Sequence, residues 1–216
     1  MNVQGLVLAA GLSRRMGEFK PLMRIGKASL LSLSVGSLLS GGAECVTVVL
    51  GYRAEEAQAE LEETFAPAQV RFAFNPAFAE SDMLASVKIG VSALPACDAF
   101  FLLPGDMPAV SEQTFHALRE QMESGSPAVV FPSIEGYRKH PPLIGDSCRE
   151  QILAYAGEGG LRGVWSSLEG AIAQVPVLDT GCLLDADTQQ DFEQLTRYLL
   201  LPRSIPLNHP LQQAST

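Results

Sequence analysis

Residues 5–17 read G-L-V-L-A-A-G-L-S-R-R-M-G, an apolar run that passes into a loop of glycines and arginines. The apolar part, Gly5 to Ala10, predicts a buried strand. Similar short runs recur between segments whose apolar residues have helical spacing, and this alternation predicts an α/β fold with a mostly parallel sheet. The further predicted strands are Cys45 to Leu50, Val70 to Asn75, Ala99 to Pro104, Ala128 to Pro132 and Gln174 to Leu178. The predicted helices cover residues 28–40, 53–65, 82–94, 111–123, 146–156 and 188–200.

Two of these helices begin with capping signals. Ser111 stands three residues before Thr114, and Thr188 stands three residues before Asp191 in the manner of a capping box.

The composition fits one domain, since 216 residues with 47% hydrophobic residues can build a single core. We expect this domain over residues 1–201 and a C-terminal extension over residues 202–216, where prolines stand among polar residues. No apolar run reaches the roughly 18 residues of a membrane span, and no export signal opens the chain. We therefore expect a cytoplasmic protein without a membrane partner. The four cysteines form no C-x-x-C pair, which argues against a zinc ribbon.

The charge is unevenly distributed. The whole chain has a net charge of -9, which argues against a general nucleic-acid binder, because such proteins need a broad face of lysines and arginines. Residues 1–27, in contrast, hold five cationic residues against Glu18 alone. This segment can form a positive pocket for a small polyanion.

The loop after the first strand has the chemistry of a phosphate site. Its glycines and small residues let backbone N–H groups approach a ligand at the carboxyl edge of the sheet. Arg15 can form a fork on phosphate oxygens, and Lys20 can place a point charge on a leaving diphosphate. The loop matches neither G-x-G-x-x-G nor the P-loop pattern. The alternative is a surface loop with solvated arginines.

The string L-A-A-G-L-S-R-R-M-G-E-F-K at residues 8–20 resembles a known signature. It is similar to L-A-A-G-x-S-x-R-M-G-x-x-K of the nucleotidyltransferases that include the molybdenum cofactor cytidylyltransferases and guanylyltransferases. The resemblance implies a Rossmann-like, three-layer α/β fold of the nucleotide-diphospho-sugar transferase type. It also implies catalytic roles for Arg15 and Lys20. The nucleotide would contact these two residues and the backbone of Leu8, Ala9, Ala10 and Gly11.

A second segment bears on the same chemistry. The strand that ends at Pro104 runs into Gly105-Asp106-Met107-Pro108, which places a carboxylate at the same edge of the sheet as the first loop. Mg²⁺ needs only one or two carboxylates beside phosphates and waters. The segment resembles the family's G-D-x-P element, which implies that Asp106 binds Mg²⁺ and acts in catalysis. An ordinary turn after a strand is the alternative.

The segment from Asn75 to Ser86 resembles the family's N-P-x-[YF]-A-x-G-M-x-x-S stretch. The resemblance implies that Asn75 and Ser86 bind the nucleotide. Ser81-Asp82 stands where the family has a glycine, and a helix cap formed by Ser81 or Asp82 is the alternative interpretation.

Three later segments resemble acceptor-binding elements of the family. His140 lies in a segment similar to G-x-x-G-H-P-[PV], Arg162 follows a pair of glycines, and Asp179 and Asp187 lie in a segment similar to D-x-G-x-x-x-D-[IV]-D-T-P-x-D. The resemblance implies that these four residues bind the acceptor, with Asp179 or Asp187 near the metal. A structural histidine and helix capping by Asp187 and Thr188 are the alternatives.

The resemblance implies transfer of CMP from CTP to molybdopterin with release of pyrophosphate, and CTP is favoured over GTP. It also implies a molybdoenzyme, or a factor that matures one, as a partner. Two alternatives remain open: a guanylyl or sugar-1-phosphate nucleotidyltransferase, and an accessory protein that binds nucleotide or cofactor without catalysis.

Overall fold

The computed structural model describes residues 1–12 and 16–201. Its strands are β1 (Val3–Ala9), β2 (Arg24–Ile25), β3 (Ala28–Ser29), β4 (Val46–Leu50), β5 (Val70–Phe74), β6 (Ala99–Pro104), β7 (Val129–Ile134), β8 (Tyr137–Arg138), β9 (Leu143–Gly145) and β10 (Ile172–Pro176). Its helices are α1 (Leu30–Ser40), α2 (Ala54–Thr64), α3 (Met83–Ala93), α4 (Glu112–Gly125), α5 (Arg149–Ala154), α6 (Gly160–Ser167) and α7 (Gln189–Leu200).

One sheet of eight strands forms the middle of the molecule. Its order is β10-β7-β9-β6-β1-β4-β5, with β8 paired to β7. The pairs β1·β4, β1·β6, β4·β5 and β7·β10 are parallel, whereas β8 and β9 pair antiparallel to their neighbours. The predicted mostly parallel α/β sheet is therefore confirmed.

Helices cover both faces of this sheet. Buried apolar residues of α1, α2 and α4 pack on one face, where the β-strand residues Val46, Val48 and Leu50 of β4 also point. Buried residues of α3, α5 and α6 pack on the other face, together with Phe100 and Leu102 of β6. Alternate strand residues thus reach opposite cores, as the period of two in a strand requires. The result is the three-layer arrangement that the sequence predicts.

The predicted elements form close to their predicted positions. The six predicted strands end within two residues of the observed bounds, and the six predicted helices within three. Ser111 caps α4 by accepting the backbone N–H of Thr114, and Thr188 forms a capping box with Asp191 at the start of α7. The helix predicted over residues 146–156 begins only at Arg149, because residues 146–148 form a 3-10 turn. The predictions did not include α6 or the short strands β2, β3, β8 and β9.

A small third cluster of buried apolar residues packs α7, the last helix of the described residues, against the rest of the molecule. Leu195 of α7 is fully buried against Ile25, Leu30, Ala109 and Ala186. This packing holds the segment before α7 close to the segments that follow β1 and β6. None of the helices in the described ranges is long and apolar enough to cross a membrane.

Candidate active site

A cleft of about 520 Å³ opens at the carboxyl edge of the sheet. The strand order reverses at β1, because the chain first extends the sheet through β4 and β5 and then returns to place β6 on the other side of β1. Open α/β sheets bind their ligands outside the strand ends at such a reversal. The cleft is lined by the residues that follow β1, β5 and β6 and by Asp185 and Asp187 before α7.

Lys20 occupies the middle of this cleft. It begins a single 3-10 turn, Lys20–Leu22, that is anchored by buried Pro21. Its Nζ donates to Oδ2 of Asp106 at 2.7 Å and to Oδ1 of Asp187 at 2.9 Å. Lys20 and the carboxylate after β6 therefore lie in direct contact in one cleft. The structure adds Asp187 as a second carboxylate on the same lysine.

The surrounding charges determine the protonation of this lysine. Burial alone would lower the pKa of Lys20, but the charges and hydrogen bonds of Asp106 and then Asp187 outweigh it and hold the pKa above its ordinary value. The lysine is thus a permanent cation near neutral pH. It can exchange carboxylate partners for phosphate oxygens without a proton transfer.

The cleft as described contains more negative than positive charge. Four aspartates, Asp82, Asp106, Asp185 and Asp187, line it together with one lysine. Burial, and then the charges of Asp106 and Asp187, raise the pKa of Asp185 above its ordinary value. Residues 13–15, and with them the predicted phosphate ligand Arg15, lie outside the described residues. A polyanion therefore needs further cations beside Lys20 to bind next to these carboxylates.

Leu8, Ala9, Ala10 and Gly11, the predicted backbone contacts of the nucleotide, line the cleft. The neighbouring end of β4 packs tightly against them at Gly51. A Cβ atom on Gly51 would lie 2.6 Å from the carbonyl oxygen of Ala10 and 2.6 Å from Cβ of Phe78. Glycine at this position lets the loop after β1 and the segment after β5 meet beside the cleft.

Asn75 and Ser86, both predicted nucleotide ligands, have different positions. Asn75 is buried; its amide donates to Oγ of Ser81 at 2.9 Å and to Oγ of Ser86 at 3.0 Å. Its Oδ1 accepts the N–H of Ala77 at 3.0 Å. Ser86 lines the cleft, whereas Asn75 is not among the lining residues. Asn75 thus holds the segment before α3 in place, and Ser86 can reach a ligand.

His140 lines the cleft on the side of Asp106. Burial lowers its pKa below the ordinary value, although a backbone hydrogen bond with Leu102 and the charge of Asp106 oppose this effect. The imidazole is therefore neutral near pH 7. Within residues 1–12 and 16–201 its Nδ1 is buried without a hydrogen-bond partner. Such an atom marks a place where a ligand group or a water can form a hydrogen bond.

Arg162 and Asp179 do not line the cleft. Arg162 is exposed on α6, whose first residue, Gly160, lies beside Asp82. The Asp179 carboxylate accepts the N–H of Ser111 at 2.7 Å, the hydroxyl of Thr114 at 2.8 Å and the N–H of Gly181 at 3.0 Å. These bonds connect the segment after β10 to the start of α4, which is a structural use of the carboxylate.

Comparisons with known proteins agree with this geometry. Residues 5–172 match the model of the MobA-like NTP transferase domain. The chain belongs to this family. The MobA-like chain is 29% identical to the molybdenum cofactor cytidylyltransferase of Escherichia coli, over 87% of its own length and 92% of that protein. It is 28% identical to the purine catabolism protein PucB of Bacillus subtilis, over 89% of its own length and 95% of that protein.

A solved nucleotidyltransferase from Methanothermobacter thermautotrophicus has the same fold as this MobA-like chain. The TM-score is 0.75 at 24% identity, over 92% of this chain and 98% of that one. The enzyme class follows from the family and the relatives together: the chain is a nucleotidyltransferase.

Two acidic residues in the cleft of this MobA-like enzyme, Asp82 and Asp185, were not predicted from the sequence as site residues. Asp185 lines the cleft with Asp187, while Ala186 between them is fully buried. The alternation D-A-D in an extended segment is the signal that could have identified Asp185. Asp82 also lines the cleft, although the sequence suggested only that it caps a helix; it does cap α3 through the N–H of Ala85 at 2.9 Å.

The structural use of Asp179 leads to a prediction about stability. Asp179→Ala leaves the N–H groups of Ser111 and Gly181, the hydroxyl of Thr114 and the weakly donating thiol of Cys182 without their acceptor. We therefore expect the free energy of unfolding to fall by about 2–3 kcal/mol. Thermal unfolding should show a melting temperature lower by roughly 5–10 °C. Asp179→Asn keeps one acceptor oxygen and should lose about half as much. Unchanged stability together with a higher KM for the acceptor would instead support the predicted acceptor contact.

Proposed function

We propose that this nucleotidyltransferase transfers CMP from CTP to a molybdopterin-type acceptor and releases pyrophosphate. The observation that carries the proposal is the contact of one lysine with two carboxylates in the cleft where the strand order reverses. The relative named as a molybdenum cofactor cytidylyltransferase supports the choice of nucleotide and acceptor.

The reaction requires the alignment of two anions. A phosphate oxygen of the acceptor attacks the α-phosphorus of CTP, a new O–P bond forms, and the bond from this phosphorus to the bridging oxygen breaks as pyrophosphate leaves. No protein nucleophile is needed, because positioning and charge stabilisation provide most of the rate. Lys20 is the cation that would stabilise the negative charge that develops on the leaving pyrophosphate. Arg15 would contribute a second positive charge.

The carboxylates around Lys20 suit Mg²⁺. The ion prefers one or two carboxylates together with substrate phosphates and waters, and Asp106 and Asp187 both present an oxygen within 2.9 Å of the same Nζ. In the described part of the chain no group of three His, Cys, Asp or Glu side chains is arranged as a complete protein-built metal site. Asp106 and Asp187 would therefore hold the ion jointly with the nucleotide. The bound ion would neutralise phosphate charge.

The acceptor would bind on the side of the cleft formed by His140 and Asp187. A neutral imidazole can donate to an acceptor phosphate or accept from a pterin N–H group. Arg162, an exposed residue of α6 that does not line the cleft, stays a prediction from the resemblance as a ligand of the acceptor phosphate. Asp179 is left out of this site, because its carboxylate is already bonded to α4 and to Gly181. We further propose a cytoplasmic enzyme that hands its product to a molybdoenzyme or to a factor that matures one.

The experiment is a screen of CTP, GTP, ATP and UTP, each with molybdopterin and with a set of sugar 1-phosphates, measured by pyrophosphate release. We expect the pair of CTP and molybdopterin to give the highest kcat/KM, and omission of Mg²⁺ to abolish release. A higher kcat/KM with GTP or with a sugar phosphate would replace the proposed substrates. Binding of CTP without any release would favour the accessory protein.

A further inference from the structure

Asp82 and Met83 form a part of the cleft that the chemistry of phosphoryl transfer does not use. The segment that contains them follows β5, two strands from β1 on the side opposite to β6. The residues that follow β6 carry Asp106 and so belong to the phosphate end of the cleft. Asp82 and Met83 therefore approach the cleft from the other side of β1.

The Asp82 side chain has a fixed direction and one available oxygen. Its Oδ1 accepts the N–H of Ala85 at 2.9 Å and so caps α3. Among the described residues, Oδ2 has no hydrogen-bond or ion-pair partner. Oδ2 lies beside Gly160, where an added Cβ would be 3.4 Å from it. Asp82 is exposed and lines the cleft.

The charge of Asp82 determines which part of a ligand it can meet. A carboxylate repels the phosphates of a nucleotide and of the acceptor, whereas it accepts N–H groups through charge-assisted hydrogen bonds. The part of the ligand next to Asp82 is therefore one that carries hydrogen-bond donors and no negative charge.

Met83 and Phe78 provide an apolar surface next to this carboxylate. Met83 is 54% exposed although it is large and apolar, and both residues line the cleft. Methionine adapts its shape to a ring, and burial of apolar surface favours binding. A flat ring with an amino group on its edge can pack against Met83 and donate a hydrogen bond to Asp82.

We propose that Asp82 and Met83 recognise a planar nitrogen heterocycle through its exocyclic amino group. Oδ2 of Asp82 accepts the amino N–H, and Met83 packs on the ring face. The same chemistry occurs when an acidic side chain accepts the amino group of cytosine. The ring is either the base of the nucleotide or the heterocycle of the acceptor. The inference rests on the proposed function and adds a residue that determines specificity.

The test compares ligand pairs that differ in one amino group. Calorimetry with Mg²⁺ measures the affinities for CTP against UTP, and for pterin against lumazine, in which an oxo group replaces the amino group. The variant is Asp82→Asn, which removes the charge but keeps a good N-cap residue. The matched control is Glu80→Gln, which removes a charge two residues away at a position that does not line the cleft.

We expect the wild-type chain and Glu80→Gln to bind the amino member of one pair about tenfold more tightly, and Asp82→Asn to lose this preference. If Asp82→Asn loses a preference for CTP over UTP, the ring is the base of the nucleotide. If it loses a preference for pterin over lumazine, the ring is the heterocycle of the acceptor. The proposal is wrong if neither pair shows a preference in the wild-type chain, or if Asp82→Asn keeps it. Pyrophosphate release by the wild-type chain is measured separately, so a failed transfer reaction does not affect the binding result.

Discussion

Lys20→Ala is expected to lower the kcat of pyrophosphate release by about 10²–10³-fold, the usual effect of removing one group that stabilises charge in a transition state. The substitution deletes the cation that contacts both Asp106 and Asp187. Because the leaving pyrophosphate gains charge as the bond breaks, kcat should fall more than KM rises.

The same substitution should have a much smaller effect on stability. The side chains of Lys20 and Asp106 are 14% and 20% exposed to solvent. Water can therefore partly compensate for the loss of the ion pair between them. We expect the free energy of unfolding to change by less than about 2 kcal/mol, measured by urea denaturation. Lys27→Ala is the matched control, since Lys27 is exposed and does not line the cleft. A normal kcat in Lys20→Ala would remove Lys20 from the mechanism.

Asp106→Asn is expected to reduce activity by about 10³-fold at low Mg²⁺ and to raise the Mg²⁺ concentration needed for half-maximal activity. An amide is a weaker ligand for a hard cation than a carboxylate, so higher Mg²⁺ should restore part of the activity. The measurement is pyrophosphate release as a function of Mg²⁺ concentration at saturating CTP.

Two further variants make this result specific. Asp98→Asn removes a carboxylate just before β6, at the opposite end of the strand from Asp106, and should leave the Mg²⁺ dependence unchanged. Asp187→Asn should shift the Mg²⁺ dependence in the same direction as Asp106→Asn, because both carboxylates contact Lys20. An Asp106 variant with the Mg²⁺ dependence of the wild-type chain would contradict the assignment of the metal site.

The central part of the site was predictable because it depends on local patterns. An apolar strand that ends in glycine and small residues places backbone groups at the sheet edge, and a strand that ends in Pro104-Gly105-Asp106 places a carboxylate there. Both strands are parallel neighbours, so their ends meet.

Features that depend on contacts distant in the sequence were not predictable in the same way. The three residues of β9 carry too little pattern to reveal a strand, and their antiparallel position between β6 and β7 depends on pairing alone. The pair Gly159-Gly160 is not typical of a helix, yet Gly159, with a φ of 85°, forms the N-cap of α6 and Gly160 is the first residue of this helix. The bonds of Asp179 depend on α4, 68 residues earlier, and so could not be inferred from its own segment.

The bond from Lys20 to Asp187 also has a consequence during synthesis. The two residues are 167 positions apart, and Asp187 is held by the packing of α7. A growing chain can pair β1 with β4, and later with β6, long before residue 187 has been translated. Nascent chains should consequently acquire the sheet first, and complete the contacts of Lys20 in the cleft only after residue 187 and α7 have emerged from the ribosome.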